Sequence, residues 1–207
     1  MTEISKDTEE KILIAAEDIF TKNGLDGARM QEIADKAGIN KSLLHYYYRS
    51  KEKLFSSVFK VAFKKLIPQV ITIISSDLPL FEKIKKFTSS YVDLVSKNQY
   101  IPMFVLYELQ KNPEGILNIM LKTLSELEQN PVKVFSEDVK REIEKGNIRE
   151  IDPRQLFVNM ISMCVFPFIA KPLICAIACN NNENEFKLFL ESRKTEISNF
   201  IINSIKI

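Results

Sequence analysis

Glycine, histidine and tryptophan are scarce in this sequence, which has five glycines, one histidine and no tryptophan in 207 residues. So few glycines leave few tight turns, which favours long helices over a many-stranded sandwich. The lone histidine, His45, has no second histidine for a metal site and no adjacent nucleophile or acid cluster for catalysis. Metal-ligand spacing, a glycine-rich phosphate loop and a catalytic constellation are all missing, so the sequence predicts neither an enzyme nor a bound cofactor or metal.

Cysteine is also rare, and its three positions lie in one apolar stretch: Cys164, Cys175 and Cys179. The N-terminus is polar and acid-rich, unlike a signal peptide, so we expect a cytoplasmic protein with reduced thiols. Cys175 and Cys179 are one helical turn apart, which makes a thiol switch conceivable. Nothing nearby in the sequence would lower the pKa of either thiol, and this disfavours such a role.

Long hydrophobic runs are nearly absent. Residues 155–170 carry no charge, but sixteen residues fall short of the roughly 20 that span a bilayer. Pro167, Lys171 and Pro172 also interrupt the segment. We therefore expect a buried core helix here and no membrane partner.

Charge is unevenly distributed along a chain whose net charge is only +2. Residues 1–35 hold four basic and nine acidic side chains, a net of −5, whereas residues 36–65 hold eight basic side chains and one acidic, a net of +7. A basic block of this kind attracts phosphates. Taken alone, it is more typical of a solvated helix face.

The first helix is predicted from Asp7, which forms a capping box with Glu10, to Asn23-Gly24, which tolerates a left-handed turn. Its apolar stripe has the spacing of one helix face: Ile12, Ala15, Ala16, Ile19 and Phe20. A second helix is predicted over 29–36. Gly38 then suits the positive φ of a tight turn, and Asn40 is the N-cap of a third helix. Short helices joined in this way are typical of a helix-turn-helix.

The third helix separates into two faces when it is turned by 100° per residue. Leu44 points to the core with Tyr48 near it. The outward side chains are small, polar, cationic or aromatic, as contacts with bases and phosphates require, with Lys41 and Tyr47 at the flanks: Ser42, Leu43, His45 and Tyr46.

These residues resemble the TetR family of bacterial regulators. The resemblance runs from Thr8 to about Phe55, through IL-x-AA-x-x-IF-x-x-x-G at 12–24 and MQEIADKAGINKSLLHYYYRSKEKLF at 30–55. It implies an all-α fold, with an N-terminal three-helix helix-turn-helix domain followed by a helical ligand-binding and dimerisation domain.

By position, the resemblance implies that double-stranded operator DNA is contacted by Lys41, Ser42, Leu43, His45, Tyr46 and Tyr47, with Lys51 on a phosphate. His45 and Leu43 depart from the tyrosine and the threonine or serine frequent in the family, so the operator sequence does not follow. Ala28-Arg29 replaces the usual cap of the second helix. Asp26 or Gly27 is expected to cap it instead, which places Arg29 within reach of a phosphate.

We expect domains at 1–52 and 53–207. Beyond a long helix from Ser50 to about Ser75, containing Pro68, the pattern predicts helices at 80–97, 101–111, 114–129, 131–146, 153–178 and 185–205. The helix at 153–178 begins with an Asp152 cap and Pro153, and it is apolar around most of its circumference. The inner face of the last helix is expected to hold Phe186, Phe189, Leu190, Ile197, Phe200, Ile201 and Ser204. The resemblance implies that the last two helices pair across a two-fold axis in a homodimer.

Aromatic and methionine side chains are abundant in the middle helices. They can form an ordinary core or a pliable apolar ligand pocket. The candidate pocket residues, with Glu108 as a polar anchor, are Tyr91, Phe104, Tyr107, Glu108, Phe157, Met160 and Met163.

The functional hypothesis is a dimeric repressor that a small apolar or amphipathic ligand releases from its operator. The alternative is a DNA-bound structural or adaptor protein of the same fold with no inducer.

Overall fold

The computed structural model describes residues 3–111, 113–125 and 130–207, together with most of their side chains. In these ranges the chain is helical and has no strand, which confirms the all-α fold. The described helices are α1 (Glu3–Gly27), α2 (Met30–Lys36), α3 (Lys41–Tyr47), α4 (Lys51–Ile74), α5 (Leu80–Lys97), α6 (Tyr100–Lys111), α7 (Pro113–Ser125), α8 (Pro131–Glu144), α9 (Pro153–Ile169), α10 (Lys171–Ala178) and α11 (Glu183–Ile205).

The chain forms two compact units, Met1–Lys65 and Leu66–Ile207. In the first unit, α2 packs against both α1 and α3. Its core contains an edge-to-face contact between the rings of Phe20 and Phe55, whose centroids are 4.7 Å apart. Ala34 is fully buried, and its small side chain allows neighbouring helices to approach α2 closely.

The start of α1 differs from the prediction. The helix begins at Glu3, and Asp7 lies inside it, where its carboxylate pairs with Lys11 at 2.8 Å. This i,i+4 pair takes the place of the predicted capping box. Gly24 has φ of 66°, a left-handed conformation, and breaks the helical backbone where the sequence predicted the helix to end.

The second unit is built around α5, α9 and α11, which contact one another, with α8 against α5 and α9. Its core includes Phe87, Phe135, Met160 and Phe186, all fully buried or nearly so. The chain that precedes α9 is tied to the end of α11, since the Arg149 amide donates to the Ile205 carbonyl at 2.8 Å.

The single helix predicted over 153–178 is wrong. It is divided into α9 and α10, which are bent by 82° at their junction. Pro172 lies in the first turn of α10. In a continuous helix its ring would clash with the Phe168 carbonyl, so the chain turns at Ala170 instead. No single helix in the described ranges is long and apolar enough to cross a membrane; only α9 and α10 taken together meet that test, with the bend between them.

A second proline, Pro167, remains inside α9. Proline has no N–H, so the carbonyl of Met163, four residues earlier, loses its helical donor. The Arg193 guanidinium of α11 donates to that carbonyl at 2.9 Å. The pairing of α9 with α11 therefore satisfies a polar group that α9 cannot satisfy by itself.

The inner face of α11 is partly as predicted. Phe186, Leu190, Ile197 and Ile201 are buried, whereas Phe200 is 63% exposed. Ser204 is exposed as well, and Phe189 is half-buried, whereas Ser198 and Ile205 are buried in addition. Two further contacts hold α11 on α5, a hydrogen bond from Thr88 to the Lys194 carbonyl at 3.3 Å and an ion pair of Lys194 with Asp93 at 2.5 Å.

One ion pair of the second unit lies in the interior. The Lys83 side chain of α5 is 1% exposed and pairs with the Asp138 carboxylate of α8, which is 14% exposed. Arg141 approaches the same carboxylate at 3.3 Å. Because a buried ammonium is costly without a partner, Asp138 makes the burial of Lys83 possible.

We expect Asp138→Ala to lower the free energy of unfolding by about 3–5 kcal/mol, because it leaves the Lys83 ammonium buried without its carboxylate. The matched control is Glu82→Ala, which removes a pair with Lys85 whose side chains are 57% and 51% exposed. That exposed pair should contribute less than about 1 kcal/mol. Urea denaturation of both variants measures the difference, and equal losses would contradict the interior role of Asp138.

Candidate nucleic-acid interface

The turn and cap that position α3 follow from local sequence. Gly38 has φ of 69°, and the Ile39 amide donates back to the Ala34 carbonyl at 3.0 Å, which closes α2. The Asn40 side chain then accepts a hydrogen bond from the Leu43 amide at 2.7 Å. The predicted N-cap of α3 is confirmed, and α2, the turn and α3 form a helix-turn-helix.

The inner face of α3 is anchored by Leu44, which is fully buried, and by Tyr48 just beyond the helix. The Tyr48 hydroxyl donates to the Glu9 carboxylate of α1 at 3.1 Å. Burial, together with the negative charge of Glu9, raises the pKa of Tyr48. The hydroxyl therefore stays protonated at neutral pH and keeps this hydrogen bond, which fixes the end of α3 on α1.

The outer face of α3 is presented to solvent. The exposed residues are Lys41, Ser42, Leu43, His45 and Tyr46, with Tyr47 half-buried. Tyr46 is 81% exposed, and its ring meets that of Tyr47 edge to face with centroids 5.7 Å apart. The structure therefore brings the predicted α3 residues together on one face of the helix.

Arg29 lies directly before α2, and Lys51 is the first residue of α4. Arg29 is exposed and occupies the N-cap position of α2 with an extended backbone and no capping hydrogen bond from its side chain. The expected capping by Asp26 or Gly27 is therefore wrong. The Lys51 ammonium donates to the carbonyls of Asp26 and Ala28 at 3.2 and 3.1 Å, so it joins the start of α4 to the segment before α2.

A groove of about 360 Å³ lies beside the end of α3, and it was not predicted from the sequence. It is lined by three tyrosines at and just beyond the end of α3, by the arginine that follows them and by the first turns of α4: Tyr46, Tyr47, Tyr48, Arg49, Lys53, Ser56, Ser57 and Lys60. The signal in the sequence was the spacing of Lys53, Ser56, Ser57 and Lys60, which places them on one helix face.

The predicted pocket residues are only partly described. Tyr91 stacks on Phe87 with centroids 5.5 Å apart, and Phe157 lies between Phe87 and Phe135 at 6.3 and 5.9 Å. Met160 is fully buried, and Met163 packs against the same core. Burial raises the pKa of Tyr91 to about 12, so its hydroxyl is neutral. The side chains of Phe104, Tyr107 and Glu108 lie outside the described residues.

The thiols are in surroundings that disfavour reactivity. Burial raises the pKa of Cys164 to about 12, although the Arg193 charge opposes this effect. Burial also raises the pKa of Cys179 above its ordinary value, helped by Cys175 and Glu185. A small thiolate fraction at neutral pH makes a redox role for Cys179 unfavourable. Among the described side chains, no group of three acidic, histidine or cysteine residues could hold a metal ion.

Comparison with known proteins places this geometry in context. Residues 12–58 match the family described as bacterial regulatory proteins, tetR family. The uncharacterized HTH-type transcriptional regulator YhgD of Bacillus subtilis is 20% identical over 78% of this chain and 83% of its own. The HTH-type transcriptional repressor NicS of Pseudomonas putida is 43% identical, but over only 26% of this chain and 25% of its own.

Solved structures share the whole fold at low identity. A transcriptional regulator of the TetR/AcrR family from Thermobifida fusca has a TM-score of 0.65 at 16% identity, with 93% of this chain and 97% of that chain covered. The ketosteroid transcriptional regulator KstR2 of Mycobacterium tuberculosis has a TM-score of 0.64 at 15% identity, with 96% and 95% covered. Sequence similarity is thus concentrated in the helix-turn-helix, and the fold extends over both units.

Proposed function

We propose that this chain, whose residues 12–58 match the tetR family of bacterial regulatory proteins, represses transcription as a homodimer on double-stranded operator DNA. A small apolar or amphipathic ligand then releases it. The observation that carries the proposal is the division of α3 into a buried face, with Leu44, and an exposed face that ends in Tyr46. Regulators of this family bind operator DNA, and they usually form dimers and bind small ligands.

In the proposed complex, α3 enters the major groove. Lys41, Ser42, His45 and the two tyrosines supply hydrogen-bond donors and acceptors for bases and phosphates, while Leu43, 36% exposed, offers an apolar surface for a thymine methyl group. Arg29 and Lys51 are assigned to phosphates. Lys51 keeps its two carbonyl partners in this assignment, and its remaining N–H is the donor for DNA.

The dimer is proposed to form through α9, α10 and α11. Ile197 and Ile201 are buried within the protomer and are therefore not available to a partner. Several large apolar side chains of the same helices are instead more than half exposed: Val158, Phe166, Leu173, Ile177, Leu188 and Phe200. So much exposed apolar surface is typical of a protein interface. A dimer would place two α3 helices in successive major grooves, roughly 34–36 Å apart.

Repression, as opposed to activation, and release of the operator by a ligand are the two most specific parts of the proposal. NicS is named a repressor, whereas FasR of Mycolicibacterium smegmatis, 27% identical over 41% of this chain, is named an activator. The ligand is placed among α5, α6, α7 and α9, where Tyr91, Phe157, Met160 and Met163 contribute apolar surface. A ligand that binds more tightly to a conformation with the wrong α3 spacing releases the operator.

The second candidate is a DNA-bound structural or adaptor protein without an inducer. The fully buried Met160 and the packed rings of Phe87, Phe135 and Phe157 favour it, because they fill interior space that a ligand would need. The two candidates differ in whether DNA affinity responds to any small molecule.

Tyr46→Ala should weaken binding to a selected operator roughly tenfold, the scale of one base contact, without loss of helicity, because the ring is exposed. Lys51→Ala should weaken binding to specific and random DNA alike and lower the salt slope by about one unit. Fluorescence anisotropy at several salt concentrations measures both. Ile14→Ala, which truncates another exposed apolar side chain of the first unit, is the control. A Tyr46→Ala protein that loses helicity would show a core role for that ring.

The protein should be a dimer at micromolar concentration and bury well over 1,000 Å². Phe166→Glu, at a side chain 53% exposed on α9, should shift it toward monomer, because the interface would bury two unpaired carboxylates, one from each protomer. Leu117→Glu on α7, also at a 53% exposed position, should leave the dimer intact. Sedimentation velocity distinguishes these outcomes. A monomeric wild-type protein would remove both the dimer and the two-half-site mechanism.

An inducer found by thermal-shift screening of apolar and amphipathic compounds should reduce operator affinity about 5- to 150-fold at saturation, and operator DNA should weaken ligand binding by the same factor. Met160→Phe should abolish this response while operator affinity stays near wild type, because the larger ring occupies the proposed site. Met103→Phe, at an exposed position of α6, is the control. A broad screen in which no compound raises the melting temperature or releases DNA would favour the adaptor.

A further inference from the structure

The groove beside α3 differs in its chemistry from a site for an apolar ligand. Three of its eight lining residues are cations, two are serines and three are tyrosines, and no carboxylate is among them. Ligand pockets for small organic molecules are mostly apolar and enclosed. A cationic groove lined with hydroxyl groups suits an anion with several oxygen atoms, such as a phosphodiester.

The cations of the groove are available, unlike others in the same unit. Lys11 and Lys22 pair with acids at 2.8 and 2.9 Å, and Lys36 pairs with Asp18. In the part of the chain that the structure describes, Arg49, Lys53 and Lys60 form no ion pair, and all three are exposed. Three positive charges without counter-charges raise the local potential and attract polyanions.

The arrangement of the cations is linear. Lys53 and Lys60 lie two turns apart along α4, about 10 Å at 1.5 Å per residue, with Ser56 and Ser57 between them. Arg49 precedes α4, next to the tyrosines that end α3. The line of charge therefore starts beside the end of α3 and continues along α4.

We propose that this groove binds the phosphodiester backbone of the operator DNA beside the segment that α3 reads, with Arg49, Lys53 and Lys60 as the phosphate-binding cations. This inference rests on the proposed DNA-binding function and names a second surface for it. Contacts of this kind position a protein on DNA and contribute affinity without reading sequence. The groove would thus set the strength and salt dependence of binding, while α3 sets its selectivity.

The test compares wild-type protein with the double variant Lys53→Gln/Lys60→Gln on two duplexes, one selected from a random library by the wild-type protein and one of random sequence. The slope of log K against log salt should fall by about 1.8 per bound protomer, since each phosphate contact contributes about 0.9. The ratio of specific to random affinity should stay within about twofold of wild type. Lys53→Arg/Lys60→Arg should keep the wild-type slope, and Lys86→Gln/Lys187→Gln, at exposed lysines of the second unit, should keep it too.

An unchanged slope in the double glutamine variant overturns the proposal, even if the protein still selects its operator. So does a changed affinity ratio, which would assign base reading to the groove. If inorganic pyrophosphate at constant ionic strength stabilises the wild type but not the variant while the slopes agree, the groove holds a free anion instead. Failure of the proposed function is a different result, because the wild-type protein would then select no duplex at all.

Discussion

The second unit depends on a backbone carbonyl that its own helix cannot satisfy. Pro167 removes the donor for Met163, and Arg193 supplies another from α11 at 2.9 Å. A buried carbonyl without a donor costs about 1–3 kcal/mol. The partly buried hydrogen bond from Arg193 therefore stabilises α9 in this form when α11 lies beside it. The hydrogen bond of Thr88 to the Lys194 carbonyl then joins α5 to the same helix. α11, last in the sequence, is thus the element on which the earlier helices of this unit are assembled.

The first unit solves a different problem, which is to hold a seven-residue helix that is too short to be stable in isolation. Leu44 and Tyr48 bury the inner side of α3, and the Asn40 cap satisfies an amide at its start. The hydroxyl of Tyr48 adds a polar tie to Glu9 on α1. With the inner side so constrained, the outer residues can be small, charged or aromatic without regard to packing.

Local signals in the sequence were sufficient for most helices and for the faces of α3. α5 lies at the predicted 80–97, and the caps Asn40 and Asp152 each accept the expected amide hydrogen bond. Periodicity did not reveal the break at Ala170, because α9 and α10 are apolar on nearly every side and offer no face to follow. The exposure of Phe200 was missed for a related reason: its spacing fits the apolar stripe of α11, although its side chain is 63% exposed. The two carbonyl partners of Lys51, and the grouping of Arg49, Lys53 and Lys60 beside the tyrosines, arise from contacts in three dimensions, which composition alone does not contain.

The buried pair of Lys83 and Asp138 has a consequence for the evolution of this chain. Replacement of either residue alone leaves a lone charge or an unpaired polar group in the interior, whereas replacement of both by apolar residues is close to neutral. We therefore expect the two positions, 55 residues apart in the sequence, to vary together, because a change at either one alone lowers stability. Homologues should carry both members of the pair or neither. In an alignment, these two positions would then indicate the contact between α5 and α8 even where overall sequence similarity is low.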